Sequence, residues 1–187
     1  MMQDYRELVR KVLVSEEEVQ SRIAELGSEI SKDYQGQDPH LICILRGGVL
    51  FLTDLMRHIS VPNTIDFMAV SSYGAAKRQS TGQVRITYDL QSEIQGRNVL
   101  LVEDIIDSGY TIASVLELLR TRHPKSLRVC TLLNKPDRRE VEVPIDYCGF
   151  VIPNEFVFGY GLDLDEYYRN LPFIAAVDLD RYQPPEE

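Results

Sequence analysis

The sequence predicts a doubly wound α/β fold with a mostly parallel sheet flanked by helices, and three observations carry that expectation. Runs such as LICIL at 41–45 and VLLV at 99–102 are continuous rather than alternating, as strands covered on both faces of a parallel sheet require. Apolar stretches of strand length alternate along the chain with stretches that are apolar at helical spacing. The 187 residues, 44% hydrophobic and 26% charged, suit one domain with a substantial core.

The elements follow in order. Ser15-Glu16-Glu17-Glu18 is a capping box that starts a helix, and Val19, Ile23, Leu26 and Ile30 recur on one face of it. Residues 40–45 form a strand closed by Arg46-Gly47-Gly48, and 49–59 are apolar at helical spacing. Strands are expected at 65–71, 98–102, 127–133, 147–152 and 173–177, with an amphipathic helix over 111–122. Between Phe67 and Tyr88 there is no acidic residue, while Lys77, Arg78 and Arg85 fall there around the aperiodic centre YGAAKRQSTGQ. That composition predicts an exposed, mobile, positively charged loop, and an ordinary hairpin loop accounts for it equally well. The end at 183–187 is expected to fray.

The net charge of −9 argues against a nucleic-acid coat or a polybasic membrane surface. Its distribution matters more than its sum. Residues 1–38 hold nine acids and five bases, residues 161–187 seven and two, and the middle is balanced. No window is apolar enough for a membrane span, and the start MMQDYRELVRK lacks the apolar run of a secretory signal, so a cytoplasmic protein is expected. Cys43, Cys130 and Cys148 sit in apolar runs without a CxxC pair and are expected to be buried, reduced thiols.

The chemistry concentrates in VLLVEDIIDSGYT, residues 99–111. A buried strand passes through Glu103 and Asp104 into a small-residue loop and a helix. Gly109 allows a turn, and the amides around it, with the Ser108 and Thr111 hydroxyls, form an anion site suited to a phosphate. Two consecutive acids beside a phosphate site suit a vicinal diol, bound directly or through a hydrated divalent cation, so a phosphorylated sugar satisfies both halves. The bland alternative is that Asp107 and Ser108 are helix caps and that Glu103 and Asp104 are solvated. Neither GxxxxGK[ST] nor GxGxxG is present.

VLLVEDIIDSGYT resembles the phosphoribosyl-pyrophosphate signature of type I phosphoribosyltransferases. LRGG at 45–48, SSYG at 71–74, LLNKP at 132–136 and FVFGYGLDLDEYYRNLP at 156–172 resemble, in order and spacing, the hypoxanthine-guanine phosphoribosyltransferases. The similarity covers nearly the whole chain. It implies a single domain over 1–187 with the type I phosphoribosyltransferase fold, a mobile loop, and a small hood built mainly from the C-terminal segment.

In that family a 6-oxopurine displaces pyrophosphate from the anomeric carbon of phosphoribosyl diphosphate, with Mg2+. By resemblance, Glu103 and Asp104 hold the ribose hydroxyls and, with Asp163, the metal. Asp107 is the general base or acceptor near purine N7, and residues Asp107, Ser108, Gly109, Tyr110 and Thr111 bind the 5′-phosphate. Lys135 donates to the purine 6-oxygen, Phe156 stacks on the base, and Ile105 and the Val157 backbone complete the purine site. Without the family, Lys135 is better explained as a solvated lysine and Phe156 as core.

Arg46-Gly47 resembles a peptide that contacts pyrophosphate and is often cis, and Arg169 resembles the pyrophosphate arginine. Animal members carry lysine at the positions of Arg46 and Tyr110; because the pyrophosphate contact there is through the backbone, Arg46 is expected to preserve function, and the Tyr110 difference makes the chain look like bacterial members. Ser72 and Tyr73 would approach pyrophosphate as the loop closes and excludes water. Two other readings share this fold: a transferase acting on xanthine, and a regulator that binds nucleic acid. The base-binding residues argue for the enzyme, acting on small molecules with no nucleic acid or membrane partner. The family implies a homodimer or homotetramer, and Leu50, Phe51 and Leu55 are explained equally by a subunit contact or by the core.

Overall fold

In the computed structural model, which describes residues 3–72 and 84–184, the chain begins with one helical turn, α1 (Tyr5–Leu8), capped by the Asp4 side chain. Strand β1 (Val9–Val14) follows. The capping box then forms as expected: the Ser15 hydroxyl accepts from the Glu18 amide at 3.3 Å, and the Ser15 amide donates to the Glu18 carboxylate at 2.8 Å. It starts α2 (Glu16–Asp33), whose predicted stripe Val19, Ile23, Leu26 and Ile30 is fully buried. Each such side chain contributes about 1.5–3 kcal/mol.

The expected pattern of strand and helix then runs through β2 (Pro39–Leu45), α3 (Val49–His58), β3 (Thr64–Ser72), β4 (Val84–Tyr88), β5 (Asn98–Ile106), α4 (Tyr110–Arg120), β6 (Ser126–Asn134), β7 (Tyr147–Val151), β8 (Val157–Phe158) and β9 (Ile174–Val177). Six strands form one sheet in the order β4-β3-β2-β5-β6-β7, parallel except for β4, which pairs antiparallel with β3. The segment expected to be a loop therefore has a hairpin at its base. Tyr73, the centre of that segment and the lid expectation attached to it lie outside the described residues.

Both sheet faces are covered. Leu41, Cys43, Leu100 and Val102 pack with α2 and α3, and Ile42, Ile44, Val99 and Leu101 pack with Ile112, Val115, Leu116 and Leu119 of α4. Phe51 and Leu55 are fully buried in this core, so the subunit contact considered for them is corrected: core packing uses them up. Cys43 and Cys130 are buried and Cys148 is half-buried, all three as free thiols. At the β7 edge, Arg22 donates to the carbonyls of Cys148 at 2.9 Å and Gly149 at 3.3 Å, covering edge carbonyls that would otherwise template another strand.

A second, antiparallel sheet, β1-β9-β8, stands apart from the first in its pairing. Two of its strands come from the C-terminal part and the third, β1, from the N-terminus, an element the hydrophobic pattern did not single out. Gln183, expected in a frayed end, donates its amide to the Gln3 side chain at 2.9 Å. No helix among the described residues is long and apolar enough to cross a membrane.

From β2 the chain moves to β3 on one side and later returns to β5 on the other. The order reverses between β2 and β5, and a crevice at the carboxyl ends of such strands is where doubly wound sheets bind ligands. The segments after β2, β5 and β6 therefore meet side by side.

Candidate functional site

The acids come first. Strand β5 does not stop at Val102 but continues through Ile106, with Glu103 beside Thr131 of β6, so both acids lie inside the ladder. Glu103 is buried, and its Oε2 has no hydrogen-bond partner. Burial, and then the neighbouring Asp104 charge, push the Glu103 carboxyl well above the usual range. Burial also raises Asp104, to about 6, against the stabilising Ile105 amide, which donates to Asp104 Oδ1 at 2.8 Å. The solvated alternative is overturned for Glu103, and Asp104 is half-buried.

After β5 the chain turns through Asp107, Ser108 and Gly109 into α4. The N-cap is Gly109 at φ +91°, so the Asp107 and Ser108 side chains are not the caps that the bland alternative required. The turn is packed tightly on residues 139–141: a Cβ on Gly109 would lie 2.2 Å from the Val141 carbonyl. Glu140 and Val141 both donate amides to the Ser108 carbonyl at 2.9 Å. A cleft lined by Glu103, Ile105, Ile106, Asp107, Ser108, Gly109, Thr111 and Ile112 opens over it.

Arg139, which nothing in its local sequence marks as part of a site, holds this turn from behind. It donates to the carbonyls of Asp107 at 2.9 Å and Ile106 at 3.2 Å, and to Asn134 Oδ1 at 2.6 Å. Those bonds tie the turn after β5 to the segment after β6.

Lys135 is 3% exposed, which overturns the solvated-lysine alternative. Its amide bonds the Ile106 carbonyl at 3.0 Å, and its Nζ lies 3.5 Å from Asp107 Oδ1, at ion-pair distance. That oxygen is buried and otherwise makes no hydrogen bond. Burial lowers the Lys135 ammonium, and the Asp107 charge opposes the shift. Arg138 Nη1 stands 3.9 Å from the other Asp107 oxygen. Phe156 is 52% exposed, which corrects the core alternative for it, whereas Val157 is buried and Ile105 packs partly into the core.

The segment after β2 carries a cis peptide between Leu45 and Arg46, one bond earlier than the Arg46-Gly47 peptide considered from the sequence. Gly47 sits hard against Asp104, where an added Cβ would meet Oδ2 at 1.6 Å. Gly161 packs on it from the other side, its own Cβ position lying 2.2 Å from the Gly47 carbonyl. Arg169 donates to the Gly161 carbonyl at 2.9 Å and pairs with Asp163 at 2.9 Å. The structure thus brings Arg46, Gly47, Asp104, Asp163 and Arg169 into one linked group. Glu166, which the sequence reading did not select, bridges Arg46 and Arg169.

Among the described residues, no three acidic, histidine or cysteine side chains are grouped to cage a metal. The available donors, Glu103, Asp104 and Asp163, are all carboxylates, the donor type that a hard cation takes. The partnerless buried oxygen of Glu103 is one that a cation or a pair of hydroxyls would satisfy. The residues fit a magnesium ion held largely through substrate oxygens and water.

The family model described as the phosphoribosyl transferase domain matches residues 13–165. The hypoxanthine-guanine phosphoribosyltransferase of Mycobacterium avium is 54% identical over 181 residues, covering 94% of this chain and 89% of that protein. The hypoxanthine phosphoribosyltransferase of Escherichia coli strain K12 is 50% identical over 171 residues, covering 90% and 96%. A crystal structure of a hypoxanthine phosphoribosyltransferase from Staphylococcus aureus superposes with a TM-score of 0.93 at 43% identity, covering 98% of this chain and all of that one. With a family match over most of its length, and relatives about half identical along nearly all of it, the chain belongs to the phosphoribosyltransferase family, in its hypoxanthine and hypoxanthine-guanine branch.

Proposed function

We propose that this chain transfers the phosphoribosyl group of 5-phosphoribosyl 1-diphosphate to N9 of hypoxanthine or guanine, releasing pyrophosphate and giving IMP or GMP in purine salvage. The observation that carries this reading is a pair beside the cleft that Asp107 lines: a buried, otherwise unbonded Asp107 oxygen 3.5 Å from a buried Lys135 ammonium. A 6-oxopurine presents both complements. Its ring N–H suits the carboxylate and its 6-oxygen suits the ammonium, whereas a 6-amino group would set donor against donor.

The turn from Asp107 to Thr111 takes the 5′-phosphate and is held by the Arg139 bonds behind it. Glu103 and Asp104 hold the ribose hydroxyls, Phe156 covers the base, and Arg46, Gly47 and Arg169 hold the diphosphate. As N9 forms its bond to the anomeric carbon, the bond to the diphosphate oxygen breaks, and Asp107 accepts the proton that the base loses. Mg2+, bound through Glu103, Asp104 and Asp163 and the substrate, would neutralise the departing diphosphate. Action in the cytoplasm as a homodimer or homotetramer belongs to the same proposal and is supported by family membership.

Turnover with hypoxanthine, guanine, xanthine and adenine, each offered with magnesium and the donor, tests the reading. Rapid turnover of hypoxanthine or guanine and none of adenine is expected. Preference for xanthine would reassign the substrate, and inertness toward every base would overturn the proposal. In the same assay, Arg139→Ala should raise the KM for the donor about tenfold, the loss of one charge-assisted hydrogen bond's worth of ordering in the phosphate turn. Arg139→Lys should recover part of it. An unchanged donor KM would remove Arg139 from the site.

A further inference from the structure

Residues 159–161, between β8 and Asp163, form a turn in which every residue is left-handed: Gly159 has φ +95°, Tyr160 +47° and Gly161 +94°. Glycine accepts that conformation freely, whereas a tyrosine there must be held by its surroundings. What holds it lies across the fold. The Tyr160 ring is buried in the main core with Phe51, Leu52 and Leu55, and its hydroxyl donates to Asp54 Oδ2 at 2.5 Å. Gln20 of α2 donates to the same oxygen at 3.3 Å, so the acceptor is itself fixed. Burial, and then the bond to Asp54, raise the Tyr160 phenol, which keeps it the donor.

Asp54 belongs to α3, the helix that starts directly after Gly47-Gly48. The turn is therefore joined twice to this part of the fold, by the Tyr160–Asp54 bond and by Gly161 packing on the Gly47 carbonyl. Gly47 in turn sits against Asp104. We propose that Tyr160 is a positioning residue for the donor site, its hydroxyl on Asp54 locking the 159–161 turn against the segment after β2 so that Gly47 stays seated beside Asp104. The inference rests on the phosphoribosyltransferase reading and deepens it by adding a pair, Tyr160 and Asp54, that holds the site rather than touching substrate. The other bonds of the turn stay within the C-terminal segment: the Tyr160 amide donates to the Leu171 carbonyl and the Gly161 amide to that of Arg169, both at 2.8 Å. Strand β8 is likewise held by its own pairing with β9. Losing the hydroxyl thus loosens the donor side and leaves Val157 and Asp107 in place.

Tyr160→Phe removes one oxygen and keeps the ring. The KM for the donor should rise about three- to tenfold, the part of a charge-assisted hydrogen bond that reaches the site, while kcat and the KM for hypoxanthine stay within about twofold. A role in stability alone would lower the melting temperature without that split. Asp54→Ala should raise the donor KM by a similar factor, and the double variant no further, because both changes break one bond. Asp54→Asn, whose amide oxygen still accepts, should keep the donor KM near that of wild type. An unchanged donor KM in Tyr160→Phe, equal effects of Asn and Ala at position 54, or independent effects in the double variant overturn the positioning role. Each of those results, beside a wild type that turns over hypoxanthine, leaves the transferase reading intact. A wild-type protein inert toward every purine overturns both.

Discussion

Asp107→Asn should lower kcat with hypoxanthine and guanine by roughly 10²–10⁴-fold, the usual contribution of a positioned general base, while the KM for the donor changes only a few-fold. The two effects separate because Asp107 serves the site in two ways. Its backbone carbonyl receives Arg139 at 2.9 Å and helps shape the phosphate turn, and the substitution leaves that bond in place. Its side chain holds Oδ1, buried and without a hydrogen bond, beside Lys135. An amide has nearly the same outline but cannot take a proton, and it removes the negative charge 3.5 Å from the lysine. The lysine ammonium, already disfavoured by burial, is then lowered further, so hold on the 6-oxygen weakens along with proton transfer. Steady-state kinetics with each base checks this, and near-normal kcat would mean that the proton leaves by another route.

How far the sequence foretold this site depends on which interactions are local. The capping box, the α2 stripe, the buried strands and the turn at Gly109 are written in residues three to five apart, and all were legible. The signature at 99–111 brought the acids and the turn at Gly109 together because one continuous strand, loop and helix carries them. Its strand was nevertheless ended four residues early, at Val102 rather than Ile106, because two adjacent acids look like a strand end until a buried polar site gives them a reason to stay inside. Strand β1 escaped notice for the converse reason. Its Arg10 and Lys11 mark it as surface, and only the pairing with β9, about 165 residues away, makes it a strand.

Arg139 and Glu166 were missed on the same principle at greater range. Arg139 acts on backbone carbonyls about 30 residues back, and carbonyls have no letter in a sequence. Glu166 reaches Arg46, 120 residues away, through a turn of positive-φ residues that composition does not announce. Lys135 and Phe156 show what family resemblance adds. By residue type alone the lysine belongs outside and the phenylalanine inside, and the fold reverses both, burying the charge and exposing the ring.

Gly47→Ala should reduce kcat/KM for the donor by about 10²-fold or more while leaving the protein folded. The backbone at Gly47 is not in the left-handed region, so the methyl carries no conformational penalty, and its whole effect comes from what it strikes. That is the Asp104 carboxylate, at 1.6 Å from Oδ2 and 2.6 Å from the carboxyl carbon. Asp104 cannot swing aside without giving up its Ile105 amide bond. Gly47 cannot retreat either, because Gly161 lies against its carbonyl. Either Asp104, proposed to hold the ribose, or the segment at Gly47, proposed to face the diphosphate, must therefore move by an ångström or more, and misplacement of that size in a reacting site costs on the order of 10²-fold. Gly36→Ala provides the opposite case. Gly36 has φ +72° with nothing within 4 Å of an added methyl, so the substitution should cost about 1 kcal/mol of stability and leave kcat/KM unchanged. Thermal melts and donor kinetics on the two variants separate backbone strain from displacement of the site, and normal donor kinetics for Gly47→Ala would show that Asp104 does not hold the donor.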